Sequence, residues 1–128
     1  MKLAIGTDDG MTIRQGHFGE SKYYSICEIL NGIFFTQELR QNPFRDEKHA
    51  VHGQTENIMD LLNDCQIFIA KSYGMKSLKK IVQNKIDAII TDLDDIERTV
   101  QFYLHSEDIH FKYYDDENGQ FNACSDRN

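Results

Sequence analysis

The chain has 128 residues, of which 40% are hydrophobic and 27% are charged, and its formal net charge is −7. This length predicts one domain with its own core, and an acidic chain without a basic stretch is not typical of a nucleic-acid-binding protein. Because the sequence has neither a run of about 18 apolar residues nor a secretory signal at its start, we expect a cytoplasmic protein without a membrane segment.

The first part of the chain predicts three strands. Residues 2–7 form a short apolar run that ends at a turn signal at residues 8–10. After a loop, the aromatic and branched residues of 22–30 predict a second strand. Asn31-Gly32, a pair that suits a type I′ turn, joins it to a third strand over 33–39. We expect these strands to form an antiparallel meander.

A loop and a helix follow the meander. Residues 40–54 contain the only proline and show no periodicity, and a loop of this length is often functional or disordered. The next segment has Thr55 as a candidate N-cap. Its apolar residues have the spacing of one helical face, at Ile58, Leu61, Leu62 and Cys65.

Two apolar strands then alternate with two further helices. The continuous runs 66–70 and 87–90 predict strands that are covered on both faces. A helix lies between them, and a third helix begins near Asp94 and Glu97, which have the spacing of a capping box. The order β-β-β-α-β-α-β-α predicts an α/β domain of three layers with a mixed five-stranded sheet and about three helices. This order is similar to that of the ribonuclease H-like fold.

The pattern weakens after residue 106. Residues 107–128 hold six acidic and two basic residues. We expect a domain at 1–106 and an acidic C-terminal extension at 107–128, in which "IHFKYY" is a candidate edge strand and the rest is a mobile tail.

The three cysteines are odd in number and far apart in sequence, which predicts neither a disulfide framework nor a CxxC metal site. Cys27 and Cys65 lie in apolar patterns and are expected to be buried thiols. Cys124 lies in the polar tail and is expected to be exposed.

The carboxyl ends of parallel strands are where open α/β sheets bind ligands. The strand at 66–70 ends in a turn, residues 71–75, that enters a helix. The free N–H groups and the dipole of a helix N-terminus favour an anion. Lys71 and Arg14 could add positive charge there, unless both are simply solvated.

The segment "RQGHFGES", residues 14–21, begins at the same edge of the predicted sheet. Its His17 imidazole and the Met75 thioether suit transition metals or metal–sulfur species. Three glycines would let the backbone approach a ligand closely, namely Gly16, Gly19 and Gly74. The alternatives are that Met75 belongs to the core, since it has helical spacing with Leu78 and Val82, and that the segment is only a turn whose Phe18 fills the core.

A second histidine pair occurs in "HAVH". His49 and His52 are three residues apart, so on a helical turn they would share a face and could chelate one metal ion. Without a third ligand nearby, this pair is a weak signal of a metal site.

Several of these segments together resemble one family. "KLAIGTDDG", "HFGES", "LNG", "QNP" and "LLNDCQIFIAKSYG" resemble the dinitrogenase iron–molybdenum cofactor biosynthesis family over about residues 1–105. The resemblance implies a ribonuclease H-like domain that binds and carries an iron–sulfur or molybdenum–sulfur cluster, or a precursor, and is not an enzyme. It also implies cluster-synthesis proteins as partners. A homo-oligomer is a further expectation.

The resemblance places the family's loop histidine at His17 and its glycine-methionine loop at residues 72–75, and it aligns His49 and His52 with a histidine-rich run. The candidate cluster-binding residues are therefore Arg14, His17, Gly19, Lys71, Ser72, Gly74 and Met75, and the candidate metal ligands are His17, His49 and His52. The sequence departs from the family in its short histidine run, in Tyr73 where a small residue is common, and in its acidic tail.

Two other functions stay open at this point. One is an interaction or regulatory module that has lost cluster binding and uses the acidic tail for docking. The other is a magnesium-dependent nuclease, which needs carboxylates that hold paired metal ions. Its candidate carboxylates are Asp8, Asp9, Glu56 and Asp92.

Overall fold

The computed structural model describes residues 1–45, 54–105 and 108–124. Within these ranges the chain forms one sheet, three α-helices and two short 3-10 turns. The strands are β1 (Lys2–Thr7), β2 (Tyr23–Leu30), β3 (Ile33–Gln41), β4 (Ile67–Ala70), β5 (Asp87–Thr91), β6 (Phe111–Asp115) and β7 (Gln120–Ala123). The helices are α1 (Gln54–Leu61), α2 (Met75–Gln83) and α3 (Ile96–Leu104), and the 3-10 turns are Phe18–Glu20 and Asp108–His110.

The sheet has the strand order β3-β2-β1-β4-β5-β6-β7. β1, β4 and β5 pair in parallel, whereas β2 is antiparallel to both β1 and β3. The predicted mixed α/β architecture and the antiparallel meander are therefore confirmed. The order of the first five strands is compatible with the ribonuclease H-like arrangement.

The sheet has seven strands: the five predicted for residues 1–106, a sixth where "IHFKYY" was a candidate edge strand, and a seventh that the sequence did not predict. β6 pairs antiparallel with β5, and β7 pairs antiparallel with β6. Part of the tail expected to be mobile, residues 116–124, is thus the turn and strand that complete a hairpin. Gly119, at a φ of 69°, supplies the left-handed backbone in this turn.

Helices cover both faces of the sheet, because strand side chains alternate between the two faces. One core cluster packs α1 and α2 on the sheet, and the other packs α3 on the opposite face. The α1/α2 cluster includes Phe18, Tyr24, Ile58, Leu62, Phe68, Tyr73, Leu78 and Tyr114. The α3 cluster includes Leu3, Ile5, Cys27, Ile69, Ile89, Val100 and Phe111. No helix among the described residues is long and apolar enough to cross a membrane.

Local predictions differ in their outcome. Asn31 and Gly32 have φ values of 53° and 77°, which confirms the type I′ turn. Thr55 lies within α1, where its Oγ1 is 2.7 Å from Ser77 Oγ, so it is not the expected cap. The cap of α3 is Asp95, whose carboxylate accepts a hydrogen bond from the Arg98 N–H, rather than Asp94.

The thiols follow the sequence prediction in two of three cases. Cys27 and Cys65 are buried in the α3 and α1/α2 clusters, as expected. Cys124 is partly buried rather than exposed. The difference arises because its backbone continues the hairpin onto the sheet.

Candidate functional site

The loop after β1 is joined to the loop after β4. His17 and Ser72 form a parallel bridge, in which the Phe18 N–H donates to the Ser72 carbonyl oxygen at 2.9 Å. The His17 Nδ1 atom lies 2.8 Å from Ser72 Oγ, and the His17 side chain is exposed. The structure therefore brings together these two predicted site residues, one from each loop.

Phe18 anchors this loop in the core. Its side chain is 2% exposed and its ring centroid lies 4.7 Å from those of Tyr24 and Phe68. The alternative prediction for this residue, a core-filling side chain, is confirmed. Since Phe18 points inward, its neighbour His17 is held at the surface beside Ser72.

Buried hydrogen bonds fix the rest of the loop. Phe18 carbonyl oxygen accepts from Tyr24 Oη at 2.9 Å and from Ser21 Oγ at 2.8 Å. Asn42, which is 3% exposed, donates through Nδ2 to the carbonyl oxygens of Gly19 and Ser21. Sequence reasoning assigned no role to Asn42, although the "QNP" segment that contains it was part of the family resemblance.

The helix that follows the Ser72 loop begins without a side-chain cap. Gly74 is the N-cap of α2 and has no side-chain oxygen to bond the first-turn N–H groups. Met75, the first residue of α2, is 65% exposed, so the alternative that placed it in the core is wrong. Helical spacing with Leu78 misled that prediction, because spacing alone does not show whether a residue at a helix start is covered by the rest of the fold.

The two predicted positive charges are already paired with carboxylates. Arg14 Nη1 lies 2.6 Å from Asp8 Oδ2, and Arg14 Nη2 lies 3.5 Å from Glu20. Lys71 Nζ lies 2.8 Å from Asp94 Oδ1 and donates to the Leu93 carbonyl oxygen. A hydrogen bond from Lys71 holds the pKa of Asp94 below its usual value.

These ion pairs correct the expectation that Arg14 and Lys71 offer free positive charge to an anion. They also correct the alternative that both are simply solvated, since their side chains are 19% and 16% exposed. Instead, the ion pairs of Arg14 and Lys71 stabilise the loops that contain these residues. The start of α2 has no side-chain cap and is the positive end of that helix dipole.

The three candidate glycines have different surroundings. A Cβ on Gly16 would lie 3.3 Å from Arg14 Nε, so the guanidinium packs tightly over that backbone. A Cβ on Gly19 would lie 3.6 Å from Ile58, and one on Gly74 would lie 3.8 Å from Ser77 Oγ, which are ordinary contacts. The packing around these positions therefore does not require glycine at 19 and 74.

A small cavity lies beneath these two glycines, between α1 and α2. Its volume is about 30 Å³, and it is lined by Phe18, Ile58 and Ser77 among others. This space holds about one water molecule. Any larger ligand would lie outside it, against the surface formed by the two loops.

The remaining candidates are placed as follows. His49 and His52 lie outside the described residues. Tyr73, which stands where a small residue is common in the family, is 7% exposed, and its ring belongs to the α1/α2 cluster. Each of the four candidate nuclease carboxylates has a partner within the protein. Asp8 pairs with Arg14, and Glu56 pairs with Lys80. Asp9 accepts a hydrogen bond from the Thr12 N–H, and Asp92 lies beside His110.

Metal ligation in the described ranges rests on few side chains. No group of three or more histidine, cysteine or acidic residues there could hold a metal ion. The predicted metal ligands were His17, His49 and His52, and of these only His17 lies among the described residues. A metal ion bound at His17 alone would need further ligands from a bound molecule or from a partner protein.

The fold and the bridge between the loops after β1 and β4 define a class of small α/β proteins. In this class a surface histidine is held beside the start of a helix that follows a parallel strand. Residues 1–106 match the family model described as dinitrogenase iron-molybdenum cofactor. The chain belongs to this family, which confirms the resemblance seen in the sequence.

Three individual proteins are similar to this chain in sequence or in fold. An uncharacterized protein of Methanocaldococcus jannaschii, MJ0580, is 25% identical over 107 residues, which are 84% of this chain and 88% of that protein. The crystal structure of MJ0327 from the same organism, named as a candidate dinitrogenase, superposes with a TM-score of 0.64 at 20% identity and covers 84% of this chain and 90% of its own. The crystal structure of PH0822 superposes with a TM-score of 0.67 at 17% identity, and the match covers 83% of this chain and 91% of PH0822.

Proposed function

We propose that this protein binds and carries an iron–sulfur or molybdenum–sulfur cluster, or a precursor, and does not catalyse a reaction. Family membership supports the class of cargo. The observation that carries the proposal is the bridge that fixes exposed His17 against Ser72, next to the uncapped start of α2. A cytoplasmic location and cluster-synthesis proteins as partners belong to the same proposal.

His17 is proposed as the direct ligand, through Nε2. Its Nδ1 is engaged with Ser72 Oγ at 2.8 Å. A hydrogen bond on one ring nitrogen orients the ring and tunes the other nitrogen for metal binding. Ser72 is therefore proposed to position His17 rather than to touch the metal.

The start of α2 is proposed to meet the anionic sulfides of the cargo. Its first-turn N–H groups suit a negative charge, and the exposed Met75 thioether adds a soft contact. Gly19 and Gly74 leave room for close approach of the cargo. Arg14 and Lys71 are proposed to stabilise the two loops through their ion pairs, and His49 and His52 stay candidate ligands on sequence grounds.

The test is anaerobic reconstitution with tetrathiomolybdate, and separately with iron and sulfide, followed by desalting, metal analysis and visible absorption. His17→Ala is compared with His105→Ala, which removes an exposed histidine at the C-terminal end of α3. We expect wild type and His105→Ala to retain metal and His17→Ala to lose most of it. Equal retention in the two variants would rule out His17 as the ligand.

A second candidate function is an interaction module without a cluster. The observation in its favour is that the cations expected to hold an anion are paired with Asp8, Glu20 and Asp94. This candidate predicts that wild type retains neither thiomolybdate nor iron and sulfide under the same anaerobic conditions. Retention in wild type would exclude it.

A further inference from the structure

The C-terminal hairpin lies outside the residues that match the family, yet it packs against the candidate site. The match ends at residue 106, whereas β6 and β7 begin at Phe111 and Gln120. Tyr114 of β6 is 7% exposed and belongs to the α1/α2 cluster, against which Phe121 of β7 packs. The two rings meet edge to face with centroids 5.4 Å apart.

Phe121 also contacts the loop that carries Ser72. Its ring is stacked on Tyr73, with centroids 6.4 Å apart and an interplanar angle of 19°. Tyr73 lies between Ser72 and Gly74 in the chain. The Tyr73 ring centroid also lies 5.5 Å from that of Phe18, the residue after His17. One row of aromatic rings therefore runs from the hairpin to both loops of the site.

The Tyr73 ring is the fixed centre of this row. Its hydroxyl lies 2.9 Å from the carbonyl oxygens of both Phe68 in β4 and Ile89 in β5, which share its single proton. The ring is therefore tied to the sheet at its hydroxyl end and contacts the rings of Phe18 and Phe121. Removing Phe121 would leave a void beside Tyr73, and packed side chains relax into such voids.

We propose that Phe121 is a positioning residue: acting through Tyr73, it holds the Ser72 loop against the His17 loop. The use of this arrangement for a cluster rests on the proposed function, but the positioning itself does not. The C-terminal hairpin is then a part of the site that the matched residues 1–106 do not contain.

The test is hydrogen exchange of the Phe18 amide, which donates to the Ser72 carbonyl oxygen across the two loops. Phe121→Ala is compared with Tyr113→Ala, which also truncates a partly buried hairpin aromatic but on the α3 face. We expect Phe121→Ala to speed exchange of this amide at least about tenfold relative to Tyr113→Ala, because the bridge opens locally. Phe121→Leu should restore slow exchange by refilling the space.

Equal exchange of the Phe18 amide in Phe121→Ala and Tyr113→Ala would overturn the proposal. The His17 ring nitrogens provide a second readout by NMR, since loss of the Ser72 contact changes their tautomer populations. Neither measurement needs a bound cluster. A failure here is therefore distinct from a failure of the reconstitution test, which alone decides the cargo.

Discussion

At the scale of single residues, the state of the His17 ring depends on its contact with Ser72. If Nδ1 carries the proton, it donates to Ser72 Oγ and leaves a lone pair on Nε2. If the Ser72 hydroxyl donates instead, Nε2 carries the proton and must lose it before it can bind a metal. A metal on Nε2 therefore selects the first arrangement.

Gly6 shows how closely this loop packs on β1. A Cβ at this position would lie 2.3 Å from Ser21 Oγ, which donates a hydrogen bond to the Phe18 carbonyl oxygen. Because Ser21 is 0% exposed, the hydroxyl has no free space into which it can move. The strand requires glycine here for packing and not for its backbone angles.

We predict that Gly6→Ala lowers the free energy of unfolding by about 1–3 kcal/mol through overpacking. Ser21→Ala should cost about 1 kcal/mol for its lost hydrogen bond. The double variant should be more stable than the sum of the two losses implies, since the clashing oxygen is gone. Urea unfolding of the four proteins measures the coupling, and strictly additive losses would contradict it.

Residue patterns predicted which loops lie together better than which of their charges are free. His17 and Ser72 could be placed at one sheet edge because both follow parallel strands. The pairing of Lys71 with Asp94 could not be foreseen, since it joins loops that are distant in sequence. Met75 has the helical spacing of the buried Leu78 and yet is exposed, which periodicity does not encode.

At the scale of elements, an ion-pair network joins three parts of the fold. Asp64, after α1, accepts hydrogen bonds from both terminal nitrogens of Arg40 in β3, each at 2.7 Å. Lys2 at the start of β1 lies 3.2 Å from the same carboxylate. The Arg40 guanidinium, together with Lys2, holds the pKa of Asp64 well below its usual range.

We predict that Asp64→Asn destabilises the protein at pH 7 by about 1–2 kcal/mol, since the pair is charged but partly exposed. Because the pKa of Asp64 is lower in the folded state, the ionised carboxylate stabilises the fold at pH values above its unfolded pKa of about 4. This stabilisation is lost as the pH falls towards the folded-state pKa. The difference from wild type should therefore shrink between pH 7 and pH 3.

Urea unfolding at both pH values checks this prediction. Asp60→Asn is the matched control, because Asp60 is an exposed carboxylate of α1, close in sequence to Asp64. Its stability difference from wild type should be small at both pH values. A constant difference for Asp64→Asn between pH 7 and pH 3 would show that the ion pair is not its cause.

The elements themselves were largely predictable where the pattern is local. The β2–β3 hairpin follows from Asn31-Gly32, and β4 and β5 follow from their continuous apolar runs. β7 was missed because Phe121 is isolated among polar residues. Its partners, Tyr73 and Tyr114, become neighbours only in the folded sheet.

At the scale of the whole molecule, the three thiols report on different parts of the structure. Cys27 and Cys65 lie in the cores on opposite faces of the sheet, while Cys124 is partly buried after β7. Burial, followed by the nearby charge of Asp64, raises the pKa of Cys65 to about 12. Very little of its reactive thiolate is present at neutral pH.

We predict that iodoacetamide at pH 7.5 modifies Cys124 first, before the protein unfolds. Cys27 and Cys65 should react together and only at the rate of global unfolding, because both cores must open. Mass spectrometry of a time course measures the three rates. Early modification of Cys65 alone would mean that the α1 side of the domain opens separately.

The irregular pairing of β2 with β3 has a consequence for assembly. Ile26 pairs with Glu38 but Cys27 pairs with Thr36, so the outermost strand β3 carries one extra residue in its middle. Such a bulge bends an edge strand and interrupts the row of backbone N–H and C=O groups with which a further strand would pair. The opposite edge, β7, is only four residues long. We therefore expect that two copies of this protein, if they associate, do so through helices or loops rather than by joining their sheets into one.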